Sequence, residues 1–103
     1  METNVTQKKP SECQNITDVR NEIDNIDNAI IALLGERFNY VREVVKYKEK
    51  TVNCIEANDR KKAVIEKRRE WAKERGLDPD VVEDIYLKLI QYFIGEEKKM
   101  MKI

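Results

Sequence analysis

The stretch ITDVRNEIDNIDNAIIALLGERFNYVREVVKYK, residues 16–48, decides the fold. Its apolar residues recur three and four positions apart, which is the spacing of one face of an α-helix. Thr17 and Asp18 are predicted to be the N-cap and a first-turn acid of this helix. A lone glycine, Gly35, costs a helix only about 1 kcal/mol. The pattern therefore predicts one helix from residue 17 to about residue 50.

The second helix is predicted after a short break. Residues 51–58, TVNCIEAN, interrupt the helical period and are predicted to be a loop. Asn58 is a plausible N-cap for a helix over residues 59–75, and Gly76 fits the position that follows a helix end.

The start of the third helix carries the clearest local signal. Asp78 is a good N-cap residue and Pro79 fits the first helical position. An apolar stripe then continues nearly to the end of the chain. The predicted fold class is all-α, with a long first helix, a shorter second helix and a third. Polar residues 1–15 are predicted to be a flexible N-terminal tail, which leaves residues 16–103 as the domain.

Composition narrows the classes of function. The 103 residues are predicted to form one domain, and their 20 basic and 20 acidic side chains cancel, which argues against a nucleic-acid surface. Neither a signal peptide nor a membrane span is visible, so a cytoplasmic protein is expected. Cys13 and Cys54 are expected to be free thiols. The absence of histidine predicts chemistry with little proton transfer and no metal site.

The length of the first helix predicts a homodimer. At 1.5 Å per residue the helix would be ~50 Å long, whereas a compact monomer of this size has a radius of gyration of ~13 Å. One end of the helix must overhang its own chain, and the apolar stripe continues through that overhang. A second copy, with its long helix running past the first, would cover the stripe.

Three charged residues fall in the apolar register of these helices. Arg37 and Lys48 would share one face of the first helix, about 16 Å apart along its axis, and Glu97 takes an apolar position in the third helix. Each could lie at the edge of the stripe and extend its charge to water. An unpaired buried charge, however, costs several kcal/mol. Glu97 can neutralise one cation, so a bound anion is expected to neutralise the other.

Two more arginines are candidate ligands for that anion. Arg20 lies about 25 Å from Arg37 along the predicted helix, so the two cannot grip one small molecule within a chain. Across an antiparallel dimer they can. Arg60 opens the second helix, where it is either a ligand or a solvated first-turn residue.

Residues 12–48 are similar to the AroQ-type chorismate mutase family, and most of all to its isochorismate pyruvate lyase branch. The motifs that carry the resemblance are D-V-R-x-x-I-D-x-I-D, L-L-x-x-R and Y-K. Residues 71–97, WAKERGLDPDVVEDIYLKLIQYFIGEE, resemble the last helix of the family. The resemblance covers about residues 12–100.

The resemblance implies an intertwined all-α homodimer with two active sites, each built from both chains. Arg37, Lys48 and Arg60 would come from one chain and Arg20 from the partner chain. In the family, the arginines clamp the two carboxylates of the substrate and the lysine reaches its ether oxygen. By this resemblance Lys48, Glu97 and Arg37 are the catalytic candidates, while Arg20 and Arg60 complete the substrate-binding set.

The implied reaction suits a chain without histidine. Chorismate, a small dianion, rearranges to prephenate in one pericyclic step of the shikimate pathway and aromatic amino acid biosynthesis. No proton moves, no covalent intermediate forms, and no cofactor or metal is required. Catalysis would come from holding the dianion in its reactive shape and stabilising the charge that develops on the ether oxygen.

Some residues of this chain differ from the family pattern, so more than one function is considered. The usual glutamine of the last helix is Glu97 here, which can donate to the ether oxygen only when protonated, so activity is expected to fall as pH rises. Lys61 and Ala57 stand where mutases often carry carboxylates. This favours the lyase branch, which forms salicylate and pyruvate from isochorismate. We take chorismate mutase as the first function, the lyase as the alternative, and a non-catalytic helical dimerisation module as the third.

Overall fold

The computed structural model describes residues 5–102, which form helices and connecting segments. Four α-helices follow in order: α1 (Ile16–Val44), α2 (Val52–Glu56), α3 (Asn58–Glu74) and α4 (Pro79–Met101). Short 3₁₀ turns cover Pro10–Glu12 and Val45–Tyr47. The all-α class and the three main helices are thus confirmed, and α2 is an additional short helix.

The first helix begins at Ile16, next to the predicted residue 17, but its cap and its end differ from the prediction. Asn15, rather than Thr17, caps α1, because its Oδ1 accepts a hydrogen bond from the backbone N–H of Asp18 at 2.8 Å. The helix ends at Val44 and tightens into the 3₁₀ turn instead of continuing to residue 50. The turn packs against α4, so a tertiary contact ends the helix where the sequence pattern would let it continue.

The predicted loop over residues 51–58 contains a helix. Thr51 caps α2, since its Oγ1 accepts from the backbone N–H of Cys54 at 3.2 Å. Ala57 then adopts a left-handed conformation, with φ 42° and ψ 59°. Asn58 is the first residue of α3 rather than its cap, and Ala57 gives that helix no side-chain cap.

The turn between α3 and α4 follows the prediction. Gly76 has φ 74°, the left-handed conformation that ends a helix, and the Leu77 N–H donates back to the Ala72 carbonyl at 2.8 Å. Asp78 caps α4 by accepting from the backbone N–H of Asp80 at 2.9 Å, and Pro79 opens the helix. The residues that form this turn lie close together in the sequence, so the local sequence is enough to predict it.

Residues up to Asn39 and residues from Tyr40 onward form two compact units. In the second unit, α4 packs on α3, α2 and the 3₁₀ turn. Its buried apolar side chains are Ile55, Val64, Ala72, Ile90 and Phe93. This core holds α4 against the segment that carries Lys48.

Charged side chains reinforce the packing of α3 on α4. The Arg69 guanidinium donates to Asp80 at 2.9 Å and to Glu83 at 3.0 Å, and the hydrogen bond to Asp80 is the main cause of its raised pKa. Arg68 lies over the rings of Trp71 and Tyr86, 4.6 and 5.5 Å from their centres. Trp71 lies on α3 with Arg68, whereas Tyr86 lies on α4, so the cation–π contact with Tyr86 adds to the packing between the two helices.

In the first unit, the segment before α1 is hydrogen-bonded to the start of the helix. The Lys8 backbone N–H donates to Glu22 at 2.6 Å, and the Lys8 ammonium pairs with Asp18 at 3.1 Å. The backbone N–H of Gln14 and the Lys8 ammonium lower the pKa of the Asp18 carboxyl, so this stabilisation is present at neutral pH and is lost as pH falls. The flexibility of residues 1–15 stays a prediction, and residues 1–4 lie outside the described residues, as does Ile103.

The apolar face of α1 is exposed to solvent in the single chain. Its side chains at Ile16, Val19, Ile23, Ile26, Ile30, Ile31 and Leu33 are between 41% and 68% exposed. Exposed apolar side chains grouped along one helix in this way are typical of interaction surfaces. None of the helices in residues 5–102 has the length and apolar character needed to cross a membrane.

Candidate active site

Lys48 lies just beyond the 3₁₀ turn, in an extended conformation with φ −99° and ψ 143°. Because α1 ends at Val44, the prediction that Lys48 shares a helical face with Arg37 was wrong. Its inward placement is nevertheless observed, since the side chain is only 19% exposed. The backbone leaves the helix before Lys48, and the extended residue turns its ammonium towards α4.

Glu97 meets that ammonium from the buried face of α4. Its side chain is 5% exposed, and Oε1 lies 2.8 Å from the Lys48 Nζ. Oε1 makes no hydrogen bond of acceptable direction among the described residues, so the contact is a close ion pair. Its burial at a position in the apolar register agrees with the helical pattern of the sequence.

A backbone carbonyl provides the second partner of Lys48. The ammonium donates to the Ile55 oxygen at 3.1 Å, and the Ile55 side chain is fully buried. A lysine ammonium has three N–H donors. One of them is directed at the Ile55 oxygen, so the ammonium keeps donors for a ligand while its charge is paired with Glu97.

The remaining predicted site residues differ in burial. Arg37 is half-buried on α1, and Arg20 is exposed near the start of the same helix. Arg60 is exposed in the first turn of α3 and makes no ion pair with any of residues 5–102. The structure thus brings Lys48 and Glu97 together. The binding roles of the three arginines stay predictions.

A cavity of about 420 Å³ opens between α4 and the adjoining ends of α2 and α3. It is lined by Glu56, Lys61, Leu87, Ile90, Gln91, Ile94, Gly95 and Lys98. Glu56 is paired with Lys98 at 3.6 Å, whereas the half-buried Lys61 has no ion-pair partner in the described part of the chain. The cavity therefore has an apolar floor with charged side chains beside it, and neither Lys48 nor Glu97 is among its lining residues.

The chemistry that Lys48 can perform is electrostatic. A cation that is largely removed from water acts on a nearby oxygen more strongly than a solvated one. It can bind an anion or stabilise negative charge that develops on an oxygen during a reaction. Within residues 5–102, no three His, Cys, Asp or Glu side chains come together in a way that could hold a metal ion.

The sequence analysis missed the Ile55 carbonyl. A backbone carbonyl cannot be recognised from the type of residue that carries it. In addition, residues 51–58 were predicted to be a loop, whereas a helix presents this oxygen. One available signal was Thr51, a favoured N-cap residue directly before α2.

Comparison with known proteins identifies relatives over most of the chain. Residues 19–98 match the family model described as chorismate mutase type II. An isochorismate pyruvate lyase from Pseudomonas aeruginosa is 36% identical over 89% of this chain and 90% of its own length. A chorismate mutase from Methanocaldococcus jannaschii is 29% identical over 86% of each chain. A T-protein from Enterobacter agglomerans is 30% identical over 84% of this chain but only 24% of its own length.

The buried pair predicts strong energetic coupling between Lys48 and Glu97. Lys48→Met alone should destabilise the protein, because it leaves the Glu97 carboxylate buried without its cation. Glu97→Met should rescue much of that loss in the double variant. Urea unfolding of the wild type, both single variants and the double variant should give a coupling of about 1–3 kcal/mol.

The matched control is the exposed pair of Lys46 with Glu43, whose charged atoms are 3.0 Å apart. The same cycle of methionine substitutions there should give less than about 1 kcal/mol, because water screens both charges. Equal coupling in the two cycles would contradict the assignment of Lys48 and Glu97 as a buried pair.

Proposed function

Because the chain belongs to the chorismate mutase type II family, we propose that it is a chorismate mutase, which rearranges chorismate to prephenate. The observation that carries the proposal is the largely buried Lys48 ammonium, which is paired with Glu97 and donates to the Ile55 carbonyl. The match to residues 19–98 includes every residue of this arrangement. The two free thiols agree with a reducing compartment, and we propose the cytoplasm.

The proposed catalysis needs no proton transfer through the protein and no cofactor. The reaction breaks the ether bond and forms a carbon–carbon bond in one concerted step, while negative charge grows on the ether oxygen. Lys48 would donate to that oxygen, and its charge would stabilise the transition state more than the ground state. Arg37 and Arg60 would hold the carboxylates, since a guanidinium matches a carboxylate with two parallel hydrogen bonds.

We also propose that the active protein is a homodimer, in which Arg20 completes the site of the partner chain. The exposed apolar face of α1 supports this, because burying it in water-free contact with a second α1 would stabilise the dimer by the hydrophobic effect. A two-fold dimer would carry two equivalent sites.

The lyase reaction is the second candidate, and two observations favour it. The isochorismate pyruvate lyase from Pseudomonas aeruginosa is 36% identical to this chain. In addition, Lys61 stands where mutases often carry the carboxylate that holds the ring hydroxyl of the substrate, and Ala57 stands where another acidic residue is common. Isochorismate carries its hydroxyl at another ring position, so it would not need these carboxylates.

The direct test of function is a pair of assays on the purified protein. Chorismate is supplied first and prephenate is measured, then isochorismate is supplied and salicylate and pyruvate are measured. We expect prephenate formation with the higher kcat/KM. A higher kcat/KM for isochorismate would mean that the protein is mainly a lyase. Turnover of neither substrate would favour the third hypothesis, a non-catalytic helical dimerisation module.

Glu97→Gln tests the role of the carboxylate in the site. An ionised carboxylate faces the ligand with negative charge and cannot donate to the ether oxygen, whereas an amide can. Glu97→Gln should therefore raise kcat/KM roughly tenfold or more. Glu96→Gln, a neighbouring substitution on the same helix, should keep the wild-type kcat/KM. Equal kcat/KM values for all three proteins would contradict the role of Glu97.

The shared site predicts complementation between two defective variants. Arg20→Ala and Arg37→Ala should each lower kcat/KM about a hundredfold or more. When the two are unfolded and refolded together, half of the dimers combine one chain of each. One of the two sites in such a dimer carries neither lesion, so about a quarter of the wild-type activity should return.

The control for complementation is Arg75→Ala, an exposed substitution that should retain full activity. Native mass spectrometry reports whether mixed dimers have formed. Mixed dimers without recovered activity would rule out a site that takes Arg20 from the partner chain.

A further inference from the structure

The short helix α2 follows Lys48 directly in the chain. A helix of five residues is not stable by its own hydrogen bonds. Tertiary and capping contacts hold it, foremost the Thr51 cap on the Cys54 N–H and the Ile55 side chain, which is completely buried in the packing against α4. The Glu49 N–H also donates to the Cys54 sulfur at 3.3 Å, and Glu56 pairs with Lys98 on α4 at 3.6 Å. The orientation of the α2 backbone is therefore set by its cap and by its contacts with the surrounding chain.

The Ile55 carbonyl is available to Lys48 because α2 stops after one turn. The last carbonyls of a helix have no partner within it. The backbone N–H of Ala57 takes the Asn53 carbonyl at 3.0 Å, and the Lys48 ammonium takes the Ile55 carbonyl at 3.1 Å. A cation at the C-terminal end of a helix is also favoured by the helix dipole.

Ala57 is the residue that stops the helix. Its left-handed conformation, φ 42° and ψ 59°, costs an alanine roughly 1–2 kcal/mol relative to the right-handed one. If Ala57 were right-handed, α2 would run on into α3, and the N–H of residue 59 would take the Ile55 carbonyl. The break in the helix thus leaves this oxygen for Lys48, and backbone strain of this kind persists where surrounding structure enforces it.

We propose that the α2 turn is a positioning element for Lys48, in which the Ile55 carbonyl, released by the left-handed Ala57, fixes the ammonium for its substrate. This deepens the proposed function and rests on it. The carbonyl contacts no reacting atom; it orients the lysine that does. The hydrogen bond to the Ile55 oxygen and the ion pair with Glu97 fix the position of the ammonium, so that it can donate to the ether oxygen from a defined place.

The first test uses the wild-type protein without ligand. Nuclear magnetic resonance should detect the Lys48 ammonium as a slowly exchanging signal, with a through-hydrogen-bond coupling to the Ile55 carbonyl carbon. The ammonium of Lys46, which is exposed, should show no such coupling. Absence of the Lys48–Ile55 coupling in the folded wild type would overturn the proposal. Because no substrate is added, this result is independent of whether the protein is a mutase or a lyase.

The second test removes the cap of α2. Thr51→Val keeps the shape of the side chain and loses the oxygen, so α2 should loosen and the Lys48 ammonium signal should broaden. On whichever substrate is turned over, kcat should fall about tenfold to a hundredfold, as displacements near 1 Å do, while KM changes less than threefold. Thr51→Ser restores the hydroxyl and should restore both kcat and the signal.

Two control variants separate positioning from general stability. Thr17→Val changes an exposed threonine that does not cap α1, and it should leave kcat unchanged. Ala57→Gly removes the strain of the left-handed conformation and should keep the Lys48–Ile55 coupling. A Thr51→Val protein with normal kcat and an unchanged ammonium signal would contradict the proposal, as would loss of the coupling in Ala57→Gly.

Discussion

The interaction on which the candidate site depends is the ion pair between Lys48 and Glu97. Both side chains are largely removed from water, and their charged atoms are 2.8 Å apart. Burying such a pair is costly unless each member keeps good partners. The packing of α4 on the turn that precedes Lys48 brings the pair together. An incoming dianion would meet a lysine that is already paired with this glutamate.

The positions of Lys48 and of the carbonyl that it contacts are set where helices end, rather than within the regular turns of the helices. A 3₁₀ turn ends α1 and lets Lys48 leave the helical path, and a left-handed alanine ends α2 and releases a carbonyl. Each break exposes a polar group of the backbone or directs a side chain inward. The chemistry proposed for the site needs only fixed charges, which agrees with a chain that contains no histidine.

The features that could be predicted from the sequence are those that neighbouring residues determine. Asp78 and Gly76 carry strong local preferences, and the helical period correctly placed Glu97 on the inner face of α4. The end of α1 could not be predicted in this way, because contact with α4 ends it. Lys48 was expected inside for the wrong reason, as part of a longer helix. The Ile55 carbonyl could not be predicted at all, since any residue offers the same oxygen and only the break after α2 makes it available.

The most direct measurement is a crystal structure of the protein with a dianionic analogue of the pericyclic transition state. The account predicts that Lys48 Nζ stays within hydrogen-bond distance of the Ile55 oxygen and donates to the ether oxygen of the analogue. An analogue held with Lys48 turned into solvent, or bound at a place that Lys48 does not reach, would contradict it.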